Sequence, residues 1–126
     1  MGRTVALLLL PVLSACAHPS ARIPLRAPDP TGCYAIVYEE PNFLGAGDVL
    51  NGPGRYPRLT AIAQTNYGNW QNRIRSLRIG STATVTVYAD DAFAGARRRF
   101  ATGVDVPRIG DDLSGRIQSL DLACSG

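Results

Sequence analysis

The stretch Tyr38-Glu39-Glu40-Pro41-Asn42-Phe43-Leu44-Gly45 decides the fold, because it returns fifty residues later as Tyr88-Ala89-Asp90-Asp91-Ala92-Phe93-Ala94-Gly95. A Tyr, four residues, a Phe, one residue and a Gly therefore occur twice in one short chain. Each copy follows a run of aromatic and β-branched residues, Cys33-Tyr34-Ala35-Ile36-Val37 in the first and Thr84-Val85-Thr86-Val87 in the second. Such runs ending in acidic and Gly/Pro-bearing segments predict a strand that enters a turn. A second landmark is repeated as well: Arg73-Ile74-Arg75-Ser76-Leu77 is echoed by Arg116-Ile117-Gln118-Ser119-Leu120. Two landmarks in the same order predict a duplicated unit. The first unit is the longer, with a loop expected over residues 66–69.

Outward from these repeats, the chain shows strong alternation, 13 Gly and 9 Pro, and no helical periodicity beyond a turn or two. The expected class is all-β. The two units resemble the Greek-key motifs of the βγ-crystallin superfamily. That signature is carried here by Tyr38, Phe43 and Gly45, and again by Tyr88, Phe93 and Gly95. The resemblance implies that the second aromatic of each hairpin packs back on the first, with Gly taking a positive φ at no Cβ penalty. It also implies that Ser76 and Ser119 hydrogen-bond to the folded hairpin, satisfying backbone groups left unpaired by the bend. The expected architecture is a β-sandwich of two tandem Greek-key motifs, about 33–80 and 83–123, within a domain spanning 32–126.

Many microbial members of that superfamily bind Ca2+ through a loop reading Asn/Asp-Asn/Asp-x-x-Ser/Thr-Ser together with a hairpin residue of the other motif. The candidate oxygens here are Gln71, Asn72 and Gln118 in the loops and Glu40 and Asp90 in the hairpins. Both loops depart from the pattern. The fifth position holds Arg75 in one and Gln118 in the other, and a guanidinium neither coordinates nor tolerates a cation. The second loop, Ser114-Gly115-Arg116-Ile117-Gln118-Ser119, also lacks the opening acids. Degenerate calcium positions are expected, the pair Glu40 with Gln118 being less impaired than Asp90 with Arg75.

The N-terminus carries an address. Arg3, an apolar run over 5–12 and Leu13-Ser14-Ala15-Cys16 resemble a bacterial lipoprotein signal (residues 1–15) ending in a lipobox, with Cys16 as the lipid-modified residue. The run is shorter than the ~20 residues that span a bilayer as a helix. Ala17 stands where Asp favours inner-membrane retention, so the resemblance implies an outer-membrane anchor. The alternative is an ordinary secretory peptide that leaves Cys16 a free thiol. Residues 16–31, with Pro19, Pro24, Pro28 and Pro30, read as an extended tether. Export to an oxidising compartment favours a disulfide between Cys33 and Cys124, which open and close the folded region. Two separate buried thiols are the alternative.

Composition excludes several functions. All 13 basic residues are Arg, 10 acids nearly balance them, and the net charge of +3 is too even for a dedicated nucleic-acid binder. The one His, His18, falls in the tether, so no Ser-His-Asp or Cys-His arrangement is expected in the fold. No nucleotide fingerprint is present. Arg97-Arg98-Arg99 reads as a charged strand that resists edge pairing, or as a contact for an anionic partner such as a lipid headgroup. Trp70 and Tyr67 read either as a partner-facing patch or as core. The functional expectation is a non-catalytic, lipid-anchored envelope module with no cofactor, docking on the membrane or on an envelope protein. The alternatives are a calcium-binding crystallin-type protein or a secreted peptidase inhibitor, since one bacterial metalloproteinase-inhibitor family resembles this fold.

Overall fold

The computed structural model describes Gly2 and residues 26–64 and 68–125 of the 126-residue chain. The expected signal segment apart from Gly2, Cys16, His18, most of the expected tether and Tyr67 lie outside these residues. Eight strands are found among the described residues: β1 (Tyr34–Tyr38), β2 (Gly47–Asn51), β3 (Gly54–Tyr56), β4 (Ser76–Ile79), β5 (Ala83–Asp90), β6 (Ala94–Phe100), β7 (Asp105–Val106) and β8 (Ser119–Cys124). They form two four-stranded sheets, ordered β2-β1-β4-β7 and β3-β8-β5-β6, with antiparallel pairing throughout.

Strand order shows how the units interlock. Three strands of each unit stay in one sheet, but the third in sequence crosses over. β3 of the first unit pairs with β8, Gly54 to Tyr56 facing Leu122 to Leu120, and β7 of the second pairs with β4. Each sheet is therefore complete only when the other unit is present, and the two Greek keys form one sandwich. The all-β expectation holds.

Alternation along the strands builds the core. On β1, Ala35 and Val37 are fully buried, and on β5, Ala83, Val85 and Val87 are too. Thr84, Thr86 and Tyr88 occupy the opposite face, as a period of two requires. Between the sheets pack Leu59, Trp70, Ile74, Leu77, Leu113, Ile117, Leu120 and Leu122. Burying each such aliphatic side chain favours folding by about 1.5–3 kcal/mol. Trp70 is core and not a partner-facing patch: it has no exposed surface, and its indole Nε1–H donates to Asp48 Oδ2 at 2.7 Å. The carboxylate gives the indole the polar partner that full burial of a Trp demands.

The two ends of the domain are joined. Cys33, just before β1, is bonded to Cys124 at the end of β8, with Cα atoms 5.6 Å apart. Beside the bridge Ser125 N–H donates to Thr82 O. The disulfide expectation holds, and the separate-thiol alternative does not.

Candidate functional site

The repeated hairpins gather the landmark residues of each unit. After Tyr38 the chain makes a 3-10 turn at Pro41–Phe43, and after Tyr88 another at Asp91–Phe93. Positive φ is not confined to glycine there. Asn42 and Phe43 have φ of 59° and 62°, followed by Gly45 at 75°; Ala92 and Phe93 have 57° and 60°, followed by Gly95 at 79°. Left-handed backbone costs a non-Gly residue on the order of 1 kcal/mol or more, so something must hold it.

The serines supply that hold. Ser76 Oγ accepts Phe43 N–H at 3.0 Å and donates to Glu40 O at 2.5 Å. Ser119 Oγ accepts Phe93 N–H at 3.0 Å and donates to Asp90 O at 2.6 Å. Both serines are fully buried. Cross-strand pairing puts them there, since Tyr38 faces Ser76 and Tyr88 faces Ser119. The folded tips return Phe43 edge-on to Tyr38 at 5.7 Å and Phe93 to Tyr88 at 5.6 Å. A guanidinium covers each Phe: Arg78 stacks over Phe43 and Arg55 over Phe93, both at 4.1 Å. Burial among these groups raises the Tyr38 phenol above its usual value, and Arg78 partly opposes the shift.

One landmark escaped the sequence reading. Pro57-Arg58-Leu59 and Pro107-Arg108-Ile109 also recur at the fifty-residue spacing. Their proline carbonyls accept the hairpin tip of the opposite unit: Asn42 N–H bonds Pro107 O and Ala92 N–H bonds Pro57 O, each at 2.8 Å. The repeat itself was the signal that could have found them.

The two loops that would offer cation ligands also cross. Asn72 N–H donates to Ile117 O at 2.9 Å and Gly115 N–H to Ile74 O at 3.0 Å. Each fifth-position residue then lies beside its own hairpin: Arg75 N–H bonds Tyr38 O and Gln118 N–H bonds Tyr88 O, both at 2.9 Å. This corrects the expected grouping of Glu40 with Gln118 and Asp90 with Arg75. The β1–β4 and β5–β8 ladders carry each loop to the hairpin of its own unit, so Arg75 belongs with Glu39 and Glu40, and Gln118 with Asp90.

In the first position the donors do not fit a metal. Arg75 Nη1 donates to Glu39 O at 2.9 Å, taking the hairpin carbonyl, while Arg73 Nη1 lies 3.7 Å from Glu39 Oε1. The Arg75 guanidinium lies against Gly115, where a Cβ would be 3.0 Å from Nη2. Gly115 has a φ of +69°, so backbone and space both call for glycine. Glu40 folds its side chain toward Gly45, and Asp90 toward Gly95. In the second position the loop crossing brings Asn72 toward the segment that holds Gln118, both neutral amides, while Gln71 N–H bonds Asn69 Oδ1. Among the described residues no group of three or more His, Cys, Asp or Glu gathers as a metal site.

No family model matches the sequence, and no curated protein matches it. Solved structures do. A βγ-crystallin domain from Clostridium beijerinckii is 28% identical and superposes with a TM-score of 0.60, over 73% of this chain and 99% of that one. A βγ-crystallin domain from Flavobacterium johnsoniae is 25% identical with a TM-score of 0.61, over 73% of this chain and 96% of that one. A structure described under the evolution of the eye lens βγ-crystallin domain fold reaches a TM-score of 0.65 at 18% identity, over 75% of this chain and 89% of that one, a likeness of fold alone. With two folded hairpins, two serine locks and exchanged third strands, the chain has a βγ-crystallin-like fold of two interlocked Greek-key units.

Proposed function

We propose that the chain is an exported envelope lipoprotein, held at a membrane through lipid on Cys16, whose βγ-crystallin domain is a non-catalytic structural or binding module with disabled calcium positions. One observation carries the disabled sites: the bond from Arg75 Nη1 to Glu39 O places a fixed positive charge and a donor where a cation needs an oxygen acceptor. The module reading draws on the same economy of groups. The hairpin serines are committed to the backbone on both sides, and the two domain cysteines to each other. Calcium binding at the second position, around Asn72, Gln118 and Asp90, is the second reading. It is favoured by the absence of an arginine at residue 118 and by the Asn72–Ile117 bond that draws the two loops together.

Two measurements on the full chain test this. Mass spectrometry of the protein purified from its native envelope is expected to find an acylated Cys16 at the N-terminus; an unmodified N-terminus would remove the anchor. Thermal melts in EDTA and in millimolar Ca2+ are expected to coincide, because a cation that binds only the native state must raise the midpoint by linkage. A rise of several degrees would replace the disabled-site reading with the second one.

A further inference from the structure

The three consecutive arginines of β6 do two different jobs. Arg98 faces Val87 on the inner side; it donates to Ile109 O through Nη1 and to both oxygens of Asp112 at 3.0 and 3.1 Å through Nη2. That side chain ties the strand to the loop before β8. Arg97 and Arg99 stand on the outer face, opposite Tyr88 and Thr86, both exposed, and neither meets a carboxylate among the described residues. With Thr86 and Tyr88 they line a shallow groove of about 350 Å³. A second one of about 370 Å³ shares Arg99 and is lined also by Thr84, Ala101 and Thr102.

The fold does not require these cations. In the first unit, the partners facing Tyr38 and Ile36 at the same places are Gly47 and Val49. Where the first unit buries Gly47 and Val49, the second thus exposes two guanidinium groups that meet no carboxylate among the described residues, with hydroxyls beside them. Alternate residues of a strand lie about 6.8 Å apart, so each fork can take a separate oxyanion while Thr86, paired across the ladder with Arg99, offers a hydroxyl beside it. The described groove residues form no enclosed apolar chamber to bury a whole small molecule. A shallow, open, cationic face suits a ligand that is itself presented on a surface.

We infer that this outer face of β5 and β6 docks on the phosphate headgroups of an anionic lipid surface, through Arg97 and Arg99 with Thr86. The choice of a lipid source rests on the reading of Cys16 as a membrane anchor. Between Cys16 and Gly32 a fully extended chain reaches roughly 58 Å at most, which keeps the face within range of the headgroups. Each arginine near an anionic membrane surface contributes enough for two of them to change affinity roughly thirtyfold.

The test holds the full chain in neutral detergent micelles, so its outcome does not depend on whether Cys16 carries lipid. Phosphatidylglycerol is titrated into the micelles and amide chemical shifts are followed by NMR. Saturable shifts are expected at Thr86, Arg97 and Arg99, weakened roughly thirtyfold in R97Q/R99Q. Both side chains are exposed, so that variant is expected to keep the parent melting temperature within a few degrees. Absent shifts, or shifts that survive in R97Q/R99Q, would overturn the proposal. Inorganic phosphate that reproduces the shifts with the same midpoint would overturn the lipid source in favour of free phosphate. Stronger shifts with poly-glutamate would overturn it in favour of an acidic protein segment on this sheet edge. Finding Cys16 without lipid in the native protein would remove the anchor while leaving the groove result to stand by itself.

Discussion

Asn42 N–H donates to the carbonyl of Pro107 at 2.8 Å, so the tip of the first hairpin is held by the second unit. Ala92 and Pro57 make the reciprocal bond. Each tip thus has two anchors, the serine of its own unit and the proline carbonyl of the other. Left-handed residues at both tips persist because both anchors act on them at once, and the hairpins in turn reinforce the exchange of β3 and β7 between sheets. Local conformation and the pairing of the two units are one cooperative feature.

The serine locks are expected to carry a large share of stability. Ser76→Ala removes an acceptor from Phe43 N–H and a donor from Glu40 O, and Ser119→Ala does the same to Phe93 and Asp90. Leaving partly buried backbone groups unsatisfied costs about 1–3 kcal/mol for each serine. Urea unfolding of the two variants is expected to show losses of similar size. A loss below about 0.5 kcal/mol in either would mean that the hairpin holds its shape without the serine.

Much of this was legible in the sequence, and the gaps have physical causes. Tyr38, Phe43, Gly45 and Ser76 could be read because their twins stand in the same order, and alternation in Thr84-Val85-Thr86-Val87 marked β5 directly. The left-handed φ of Ala92 and Phe93 could not, because neither side chain favours that region and only the Ser119 and Pro57 bonds enforce it. β3 has three residues and β7 two, too short to show a period, so the strand exchange left no local pattern. Sequence spacing does not reveal the partners of Arg75 for a related reason: strand pairing decides which hairpin the loop meets. Trp70 fits both readings by sequence alone, because its burial and its Asp48 partner depend on contacts 22 residues apart.

Reducing the Cys33–Cys124 bridge is expected to destabilise the domain by about 4–5 kcal/mol on the chain-entropy account, since the closed loop spans a sequence separation of 91. The paired variant C33S/C124S gives the same comparison without reductant. A melting temperature that does not fall in either case would show that Ser125 and the β5–β8 ladder already fix the chain ends.

Arg75→Ala is expected to cost about 1–2 kcal/mol, because Glu39 O loses a charged donor in a half-buried place. Arg99→Ala, on an exposed face with no ion pair among the described residues, is expected to stay within about 0.5 kcal/mol of the parent. Equal losses in the two variants would remove the structural role assigned to Arg75.

Alkaline pH should weaken the domain through its tyrosines. Burial raises the Tyr38 and Tyr56 phenols above 10.0, and Tyr56 also donates to Asn51 O at 3.4 Å. Above that pH the unfolded chain has released protons that the folded one still holds, so stability falls as pH rises. Their contribution is fully present below about pH 10 and is lost as pH climbs through the raised folded values. Denaturant midpoints are expected to hold level between pH 8 and 9 and to drop between roughly pH 10 and 12. In Tyr38→Phe, which keeps the ring against Phe43 but removes the titrating hydroxyl, that drop should be shallower. An unchanged slope in this variant would assign the alkaline loss to other groups.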